Sequence, residues 1–395
     1  MKGVKRWPGF FGSLLLASGV TQSVALEEVD LLITNGLVVS MDASNTIFHD
    51  GAVAVKGDTI VAVGSRELLA QYNAKTTLDV GGDIVMPGLI NAHTHLSMTV
   101  FRSLGEDIKN RLHQFIFPLE AHFVDPQMVR LGATLGAIEQ IKGGTTTLAD
   151  MYYFEEEVAK VIDQIGLRAI LGATILSSPT PDAKTPAVAI QNTLDFVARY
   201  QNHPRITPAF APHGPYTNDT ETLQTIAKHS NAKGVPVLIH LAESQREADV
   251  IKERSGLSPV AYMNQIGALS RLMTAAHVIR VDDNDLQLLQ NAEVGIAHNM
   301  SANIKSAKGV APVLDMNARK LRVGLGTDGP MSGNTLSIID ELGQVAKVHK
   351  LMSGDREAMP AKTVVRMATI GGARALHMED KIGSLEVGKL ADIAV

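Results

Sequence analysis

From Val29 to about Asp83 the chain alternates short apolar, β-rich runs with turn residues, as in Asp30-Leu31-Leu32-Ile33, Gly51-Ala52-Val53-Ala54-Val55 and Thr59-Ile60-Val61-Ala62-Val63-Gly64. This pattern predicts a small antiparallel β unit over residues 26–83. From Ile84 to about Met378 it gives way to apolar runs of strand length separated by helical segments, as in repeated βα units around a parallel sheet. Eight strands are expected: Ile84–His95, Thr145–Tyr152, Leu167–Leu176, Ile206–Pro215, Val235–Ser244, Met273–Val281, Glu293–Met300 and Arg322–Pro330. Helix signals lie between them. Asp125-Pro126 supplies an N-cap and first helical residue, Gly143-Gly144 a stop, and Asp282 to Asp285 open another helix. Eight such repeats predict an α/β fold with a closed (β/α)8 barrel of the TIM type over residues 84–378. An open doubly wound sheet is the alternative, and no Gly-x-Gly-x-x-Gly follows the first barrel strand to favour it. Residues 379–395, with Gly383-Ser384-Leu385-Glu386-Val387-Gly388 and Leu390-Ala391-Asp392-Ile393-Ala394-Val395, return to the character of the first unit. The N- and C-terminal segments together are expected to form a small flanking β-sandwich. The sequence stops in mid-strand, so that sandwich is expected to lack a C-terminal piece.

Composition narrows the chemistry. With 395 residues and 45% hydrophobic content the chain can bury a large core. A formal charge of -5 leaves no basic surplus, so nucleic acid is not an expected partner. There is no cysteine, which excludes disulfides, thiolate nucleophiles and Cys-ligated zinc, so any metal must sit on histidines and carboxylates. The first residues, Met1-Lys2-Gly3-Val4-Lys5-Arg6, precede an apolar run from Phe10 to Val20 and then Ser23-Val24-Ala25. This is the layout of a secretory signal over residues 1–25, with cleavage expected after Ala25 and a periplasmic or secreted product. If the segment is instead only an N-terminal tail, the protein is expected in the cytoplasm. The apolar run is too short for a membrane span, and no later segment qualifies as one.

In a (β/α)8 barrel the chemistry sits at the C-terminal ends of the strands. Strand one closes on His93-Thr94-His95, strand four on His213, strand five on His240 with Glu243 beyond, strand six on His277, strand seven on His298 and strand eight on Asp328. Six of the thirteen histidines fall at these positions, too many for chance placement. Residues two apart on a strand share a face about 6.6 Å apart, so His93 and His95 can converge on one ion. Joined by His240 and Asp328, they make a candidate site for one divalent metal. Three imidazoles and a carboxylate suit Zn²⁺ first and also Fe²⁺, and leave room for a water that the metal acidifies. Asp328, among the small residues of Gly326-Thr327-Asp328-Gly329, could ligate and also accept a proton; its plainer reading is a helix N-cap. Glu243 could hold and shuttle a proton without binding the metal, or simply open the helix after strand five. Strand four offers no lysine or acid to bridge two ions, which argues for one metal.

These motifs resemble the amidohydrolase superfamily, in the branch of aromatic-ring deaminases and triazine chlorohydrolases. The resemblance runs from about Val29 to Val395. It rests on Pro87-Gly88-Leu89-Ile90-Asn91-Ala92-His93-Thr94-His95, His240-Leu241-Ala242-Glu243, Ala276-His277, Gly326-Thr327-Asp328-Gly329 and the segment from Ile382 to Asp392. Within the branch, Arg102 to Asp107, Pro118-Leu119-Glu120 and Ala211-Pro212-His213-Gly214-Pro215-Tyr216 are similar to 5-methylthioadenosine/S-adenosylhomocysteine deaminases. That likeness implies that Glu120 holds ribose hydroxyls and that His213 hydrogen-bonds the nucleoside. Relatives that take S-adenosylhomocysteine place arginines after strand three, whereas Gly172 to Thr185 contains none. Met300 stands where the pattern has proline and Ala302 where it has serine, and Ser332-Gly333-Asn334 replaces the usual Ser-Asn-Asn.

The expected function is therefore hydrolytic deamination of an adenine nucleoside, such as 5-methylthioadenosine or adenosine. Glu243 would protonate the ring nitrogen, Asp328 would pass the proton of the attacking water to the leaving amine, and His277 would polarise the water. The same centre could instead deaminate guanine or a pterin, or dechlorinate or deaminate an s-triazine. A cyclic or linear amidase would call for a basic residue to meet a substrate carboxylate. A scaffold without catalysis would have lost ligands, and none is lost here. The partner is expected to be a small heterocycle, and the chain could form a homo-oligomer.

Overall fold

Alternating side chains build the first layer. In β2 (Ile47–Lys56), Val53 and Val55 join one buried cluster with Ile33, Val38 and Val85, whereas Ala54 between them joins another with Val29 and Leu32. The computed structural model describes residues 26–395, together with Met1 and Gly3. The expected leader lies, apart from those two residues, outside them. β1 (Glu27–Val39) pairs antiparallel with β2, and β2 with β3 (Thr59–Ser65). β4 (Tyr72–Asp79) and β5 (Ile84–Pro87) instead run parallel to β1. The expectation of a purely antiparallel unit is corrected here. The 3₁₀ segment Arg66–Gln71 carries the chain across, so that β4 starts beside Glu27 and runs with it.

The run Ile84–His95 is two strands. β5 belongs to the flanking sheet, and β6 (Leu89–Thr94) is the first barrel strand. The break falls at Pro87-Gly88, where a Cβ on Gly88 would lie 2.1 Å from Thr146 Oγ1. The parallel strands β7 (Thr145–Tyr152), β8 (Arg168–Ile175), β9 (Ile206–Pro208) and β10 (Ala211–Pro212) follow β6 in one half of the barrel. β11 (Val237–Leu241), β12 (Met273–His277), β13 (Gly295–His298) and β14 (Arg322–Leu325) make the other. Two seams join the halves. Phe210 bridges to Val237, and Leu238 N–H donates to the Phe210 carbonyl at 2.8 Å. Thr327 and Asp328 donate their backbone N–H groups to the His93 carbonyl at 3.1 and 3.0 Å. Eight strand positions thus close a ring, with β9 and β10 sharing the fourth.

Several strands end sooner than their apolar runs suggest. β12 stops at His277 because His277 and Val278 take left-handed φ values of 75° and 47°. Met300 and Pro330 open short helices instead of ending strands. The helix signals hold: Asp125 caps Pro126–Lys142 through Met128 N–H, Gly143 closes it, and Asp282 and Asp285 form a reciprocal capping box. At the C-terminal end the two-residue strand β15 (Ile393–Ala394) pairs antiparallel with β5, and Leu390 bridges to Thr59. The returning segment therefore completes one six-stranded sheet with the N-terminal strands. Asp392 fastens it to the barrel, accepting from Arg168 Nε at 2.9 Å and Nη2 at 3.0 Å.

Candidate metal centre and substrate cavity

The strand ends bring five donors to one point. His93, His240, His277 and Asp328 each place a ligand atom within 4.8 Å of the others. His95 Nε2 lies 3.2 Å from Asp328 Oδ1 and 3.2 Å from His240 Nε2. Of the expected set, His93, His240 and Asp328 thus converge together with His277, and His95 stands beside Asp328 and His240. Three rings are oriented through Nδ1: His95 donates to the Met151 carbonyl, His240 to the His213 carbonyl at 2.6 Å, and His277 to Asn303 Oδ1 at 2.7 Å. The Nε2 lone pairs of His95 and His240 are left to face the centre, as metal ligation by imidazole requires, and His277 Nε2 faces Glu243 and Asp328.

The donor set fits a divalent cation. His93 Nε2 is buried and has no hydrogen-bond partner among the described residues, an arrangement that an ion would satisfy. Burial, against the pull of Asp328, takes the His93 pKa down to about 4. Burial and the surrounding imidazoles hold His240 well below its usual range. Neutral imidazoles are the ligating form. For His95 the burial penalty is outweighed by Asp328, which raises it to about 9. The Asp328 carboxyl, although buried, is held well below the ordinary carboxylate range by His93 and His95. Ala242, His277 and Asp328 all sit at left-handed φ, at 52°, 75° and 59°. Such backbone costs energy for residues with a Cβ and recurs where geometry serves function.

A cavity of about 570 Å³ opens above the cluster, lined among others by His95, Glu120, His213, His240, Glu243 and Asp328. Every residue singled out for substrate contact therefore faces one space. Glu120, on the helix Phe117–Phe123, is buried and lies 3.4 Å from the Tyr153 hydroxyl. Burial pushes its carboxyl up to about 7, against the hydroxyls of Tyr152 and Tyr153. The His213 ring packs 4.7 Å from that of His240, centroid to centroid, and its Nδ1 is 3.1 Å from Thr217 Oγ1. Glu243 Oε1 is 3.3 Å from His277 Nε2 and forms an ion pair with Lys308. Its own burial is overridden by these two neighbours, which hold it at about 2. His298 does not join the cluster; its Nε2 lies 3.3 Å from His349 Nε2.

Three contributors escape sequence reasoning. Lys308 sits in a loop with no periodic context. Asn303, which orients His277, lies on the short helix Met300–Lys305, where the sequence suggests the end of a strand. Asp150 accepts the Leu96 N–H at 2.6 Å just beyond His95, and it could have been found as the one charged residue in an otherwise apolar strand end.

Residues 84–395 match the amidohydrolase family. The chain belongs to that family. A 5-methylthioadenosine/S-adenosylhomocysteine deaminase of Syntrophobacter fumaroxidans is 42% identical to this amidohydrolase over 369 residues, covering 93% of this chain and 84% of that protein. One of the same name from Syntrophus aciditrophicus is 37% identical over 370 residues, covering 93% and 84%. Among solved structures, an adenosine deaminase from Xanthomonas campestris with bound zinc superposes with a TM-score of 0.91 at 33% identity, over 93% of this amidohydrolase and 85% of that chain. An atrazine chlorohydrolase from Arthrobacter aurescens, at 23% identity and a TM-score of 0.84 over 92% and 86%, shares the fold.

Proposed function

We propose that this amidohydrolase is a zinc-dependent aminohydrolase that converts an adenine nucleoside, 5-methylthioadenosine or adenosine, to its inosine-type product and ammonia. The observation that carries the reading is the placing of His277 Nε2 between two carboxylates, 3.3 Å from Glu243 Oε1 and 3.9 Å from Asp328 Oδ2. Ring deamination needs two proton stations on one reacting carbon. Water adds hydroxyl to C6 and a proton to the adjacent ring nitrogen; the hydroxyl proton then passes to the amine, which leaves as ammonia.

His93, His95, His240 and Asp328 are the residues that would hold the metal, with His277 at its edge. When bound, the metal supplies an acidified water as nucleophile. The Glu243 carboxylate takes one proton of the incoming water and delivers it to the ring nitrogen, Asp328 takes the other and hands it to the amine, and His277 polarises the oxygen on the tetrahedral carbon. Glu120 and His213, in the cavity wall, hold the ribose hydroxyls and the nucleoside. The deaminase names of its relatives and the zinc in the Xanthomonas structure support this reading. The absence of arginine from Gly172 to Thr185 favours substrates without a homocysteine carboxylate.

We also propose export through the N-terminal leader, with the enzyme meeting nucleosides in the periplasm or outside the cell. Fractionation that finds unprocessed protein in the cytoplasm overturns that part. The activity is tested by ammonia release from 5-methylthioadenosine, adenosine, S-adenosylhomocysteine, guanine and an aminotriazine. Turnover of the first two, with S-adenosylhomocysteine poor, is expected. Activity confined to guanine or the triazine would move the function to another N-heterocycle on the same centre.

A further inference from the structure

Lys308 brings an ammonium into a cavity whose proposed chemistry assigns it no role. It forms an ion pair with Glu243 Oε1, the oxygen that His277 Nε2 also approaches at 3.3 Å. Oε1 is thus held by the ammonium with His277 close by, while Oε2 accepts no hydrogen bond among the described residues and is left to the cavity that Glu243 lines.

The lysine is itself built in. Its N–H donates to the Asn303 carbonyl at 3.0 Å and its carbonyl accepts from Arg280 Nη2 at 2.8 Å. It lies between Ala307 and Gly309, whose φ values of 53° and 123° turn the loop toward the site. Asn303 also orients His277 through Oδ1, so the two groups that flank Oε1 share one anchor. The neighbouring Lys305 cannot substitute, because its ammonium is taken up by Glu106, the Met331 carbonyl and Asn334 Oδ1.

We infer that Lys308 is a positioning residue for the proposed deamination: anchored through Asn303, it pins Oε1 of Glu243 on the side of His277 so that Oε2 is the oxygen that meets the ring nitrogen. The inference rests on the reading of the reaction given above. A carboxylate without this tether turns about its last torsion and offers either oxygen over a range of angles, and a misplacement of about 1 Å can cost about 100-fold in rate. Because the lysine acts through Glu243, its loss should slow turnover without weakening substrate capture.

The test uses the zinc-loaded full chain as wild type, Lys308→Met, Lys308→Arg, Glu243→Gln and the double variant Lys308→Met/Glu243→Gln. With 5-methylthioadenosine, Lys308→Met should lower kcat by about 10- to 100-fold with KM changed less than about threefold, and Lys308→Arg should recover most of the loss. Once Glu243 is already glutamine, the lysine change should have no further effect. Thermal midpoints of the same set give a second readout, in which the two single changes should be non-additive. A rise in KM alone, or an equal loss of kcat in both backgrounds, overturns the inference, because Lys308 would then act on the substrate directly. Additive midpoints overturn it too, since the pair would not exist in solution. The double variant, which leaves no unpaired charge, keeps the comparison open if Lys308→Met folds poorly. Wild-type protein that releases ammonia from no substrate removes the reading of the reaction and the positioning role with it, an outcome distinct from those above.

Discussion

Asn91 and Thr327 lock the first barrel strand to the loop after the last: Asn91 Nδ2 donates to Thr327 Oγ1 at 2.8 Å, and Asn91 Oδ1 accepts the Thr327 N–H at 3.1 Å. Both side chains are fully buried, and each stands next but one or next to a metal-site residue, His93 and Asp328 respectively. Asn91→Ala should leave the Thr327 N–H with the His93 carbonyl alone and remove the donor to the Thr327 hydroxyl, at a cost of about 1–3 kcal/mol read by denaturant unfolding. Metal content after dialysis should fall as well. Retention equal to wild type would mean that the seam does not set the spacing of the donors.

Glu243→Gln preserves shape and removes the proton station. Metal content should stay at the wild-type level while ammonia release falls by about 100-fold or more. Near-normal turnover would exclude Glu243 from the chemistry.

His240→Ala removes a donor whose ring is fixed by the His213 carbonyl. The variant should lose metal by elemental analysis. A chelator applied to the wild type should lower both its activity and its thermal midpoint, with added zinc restoring them. A midpoint indifferent to the chelator would count against a metal held by residues from both halves of the barrel.

Gly326 lies where the last barrel strand passes the first. A Cβ there would meet Asn299 Oδ1 at 2.3 Å and the His93 backbone nitrogen at 2.9 Å. Gly326→Ala should therefore impair metal binding and destabilise the fold by about 1–3 kcal/mol. Gly343, in the helix Ile338–Ser353 with only Lys347 Nζ within 4 Å, is the control, and Gly343→Ala should be neutral or stabilising by up to about 1 kcal/mol. Similar effects at both sites would show that the close contact at Gly326 is relieved without cost.

Glu341 is fully buried and accepts the Ser301 N–H at 3.2 Å. Burial raises its carboxyl to about 7, against the Ser301 hydrogen bonds. Between the ordinary carboxyl range and about 7 the folded protein keeps a proton that the unfolded chain has lost. Stability should therefore fall as pH rises from about 5 to 8, by at most about 3 kcal/mol from this group. Glu341→Gln should flatten that part of the stability profile. An unchanged slope would locate the pH dependence in other groups.

The metal donors are legible in the sequence because each closes an apolar strand run, and the parallel barrel then dictates that such positions converge. His93-Thr94-His95 and Gly326-Thr327-Asp328-Gly329 carry that information locally. The split at Pro87-Gly88 is not legible, since Ile84-Val85-Met86 and Leu89-Ile90 read as one apolar run and only the contact with Thr146 shows why the chain must break there. The direction of β4 depends on a crossing segment that has no period of its own. Lys308 is invisible for a related reason: one cation in a loop becomes informative only when its partner, 65 residues earlier, is seen beside it.

The two seams of the barrel divide its strands between chain segments that are completed at different times during synthesis. His93 and His95 belong to the earlier half, whereas His240, His277 and Asp328 belong to the later one. Neither half carries the whole donor set, so the cluster is complete only where the two seams close the ring. Closing the ring and completing the donor cluster are thus a single structural event.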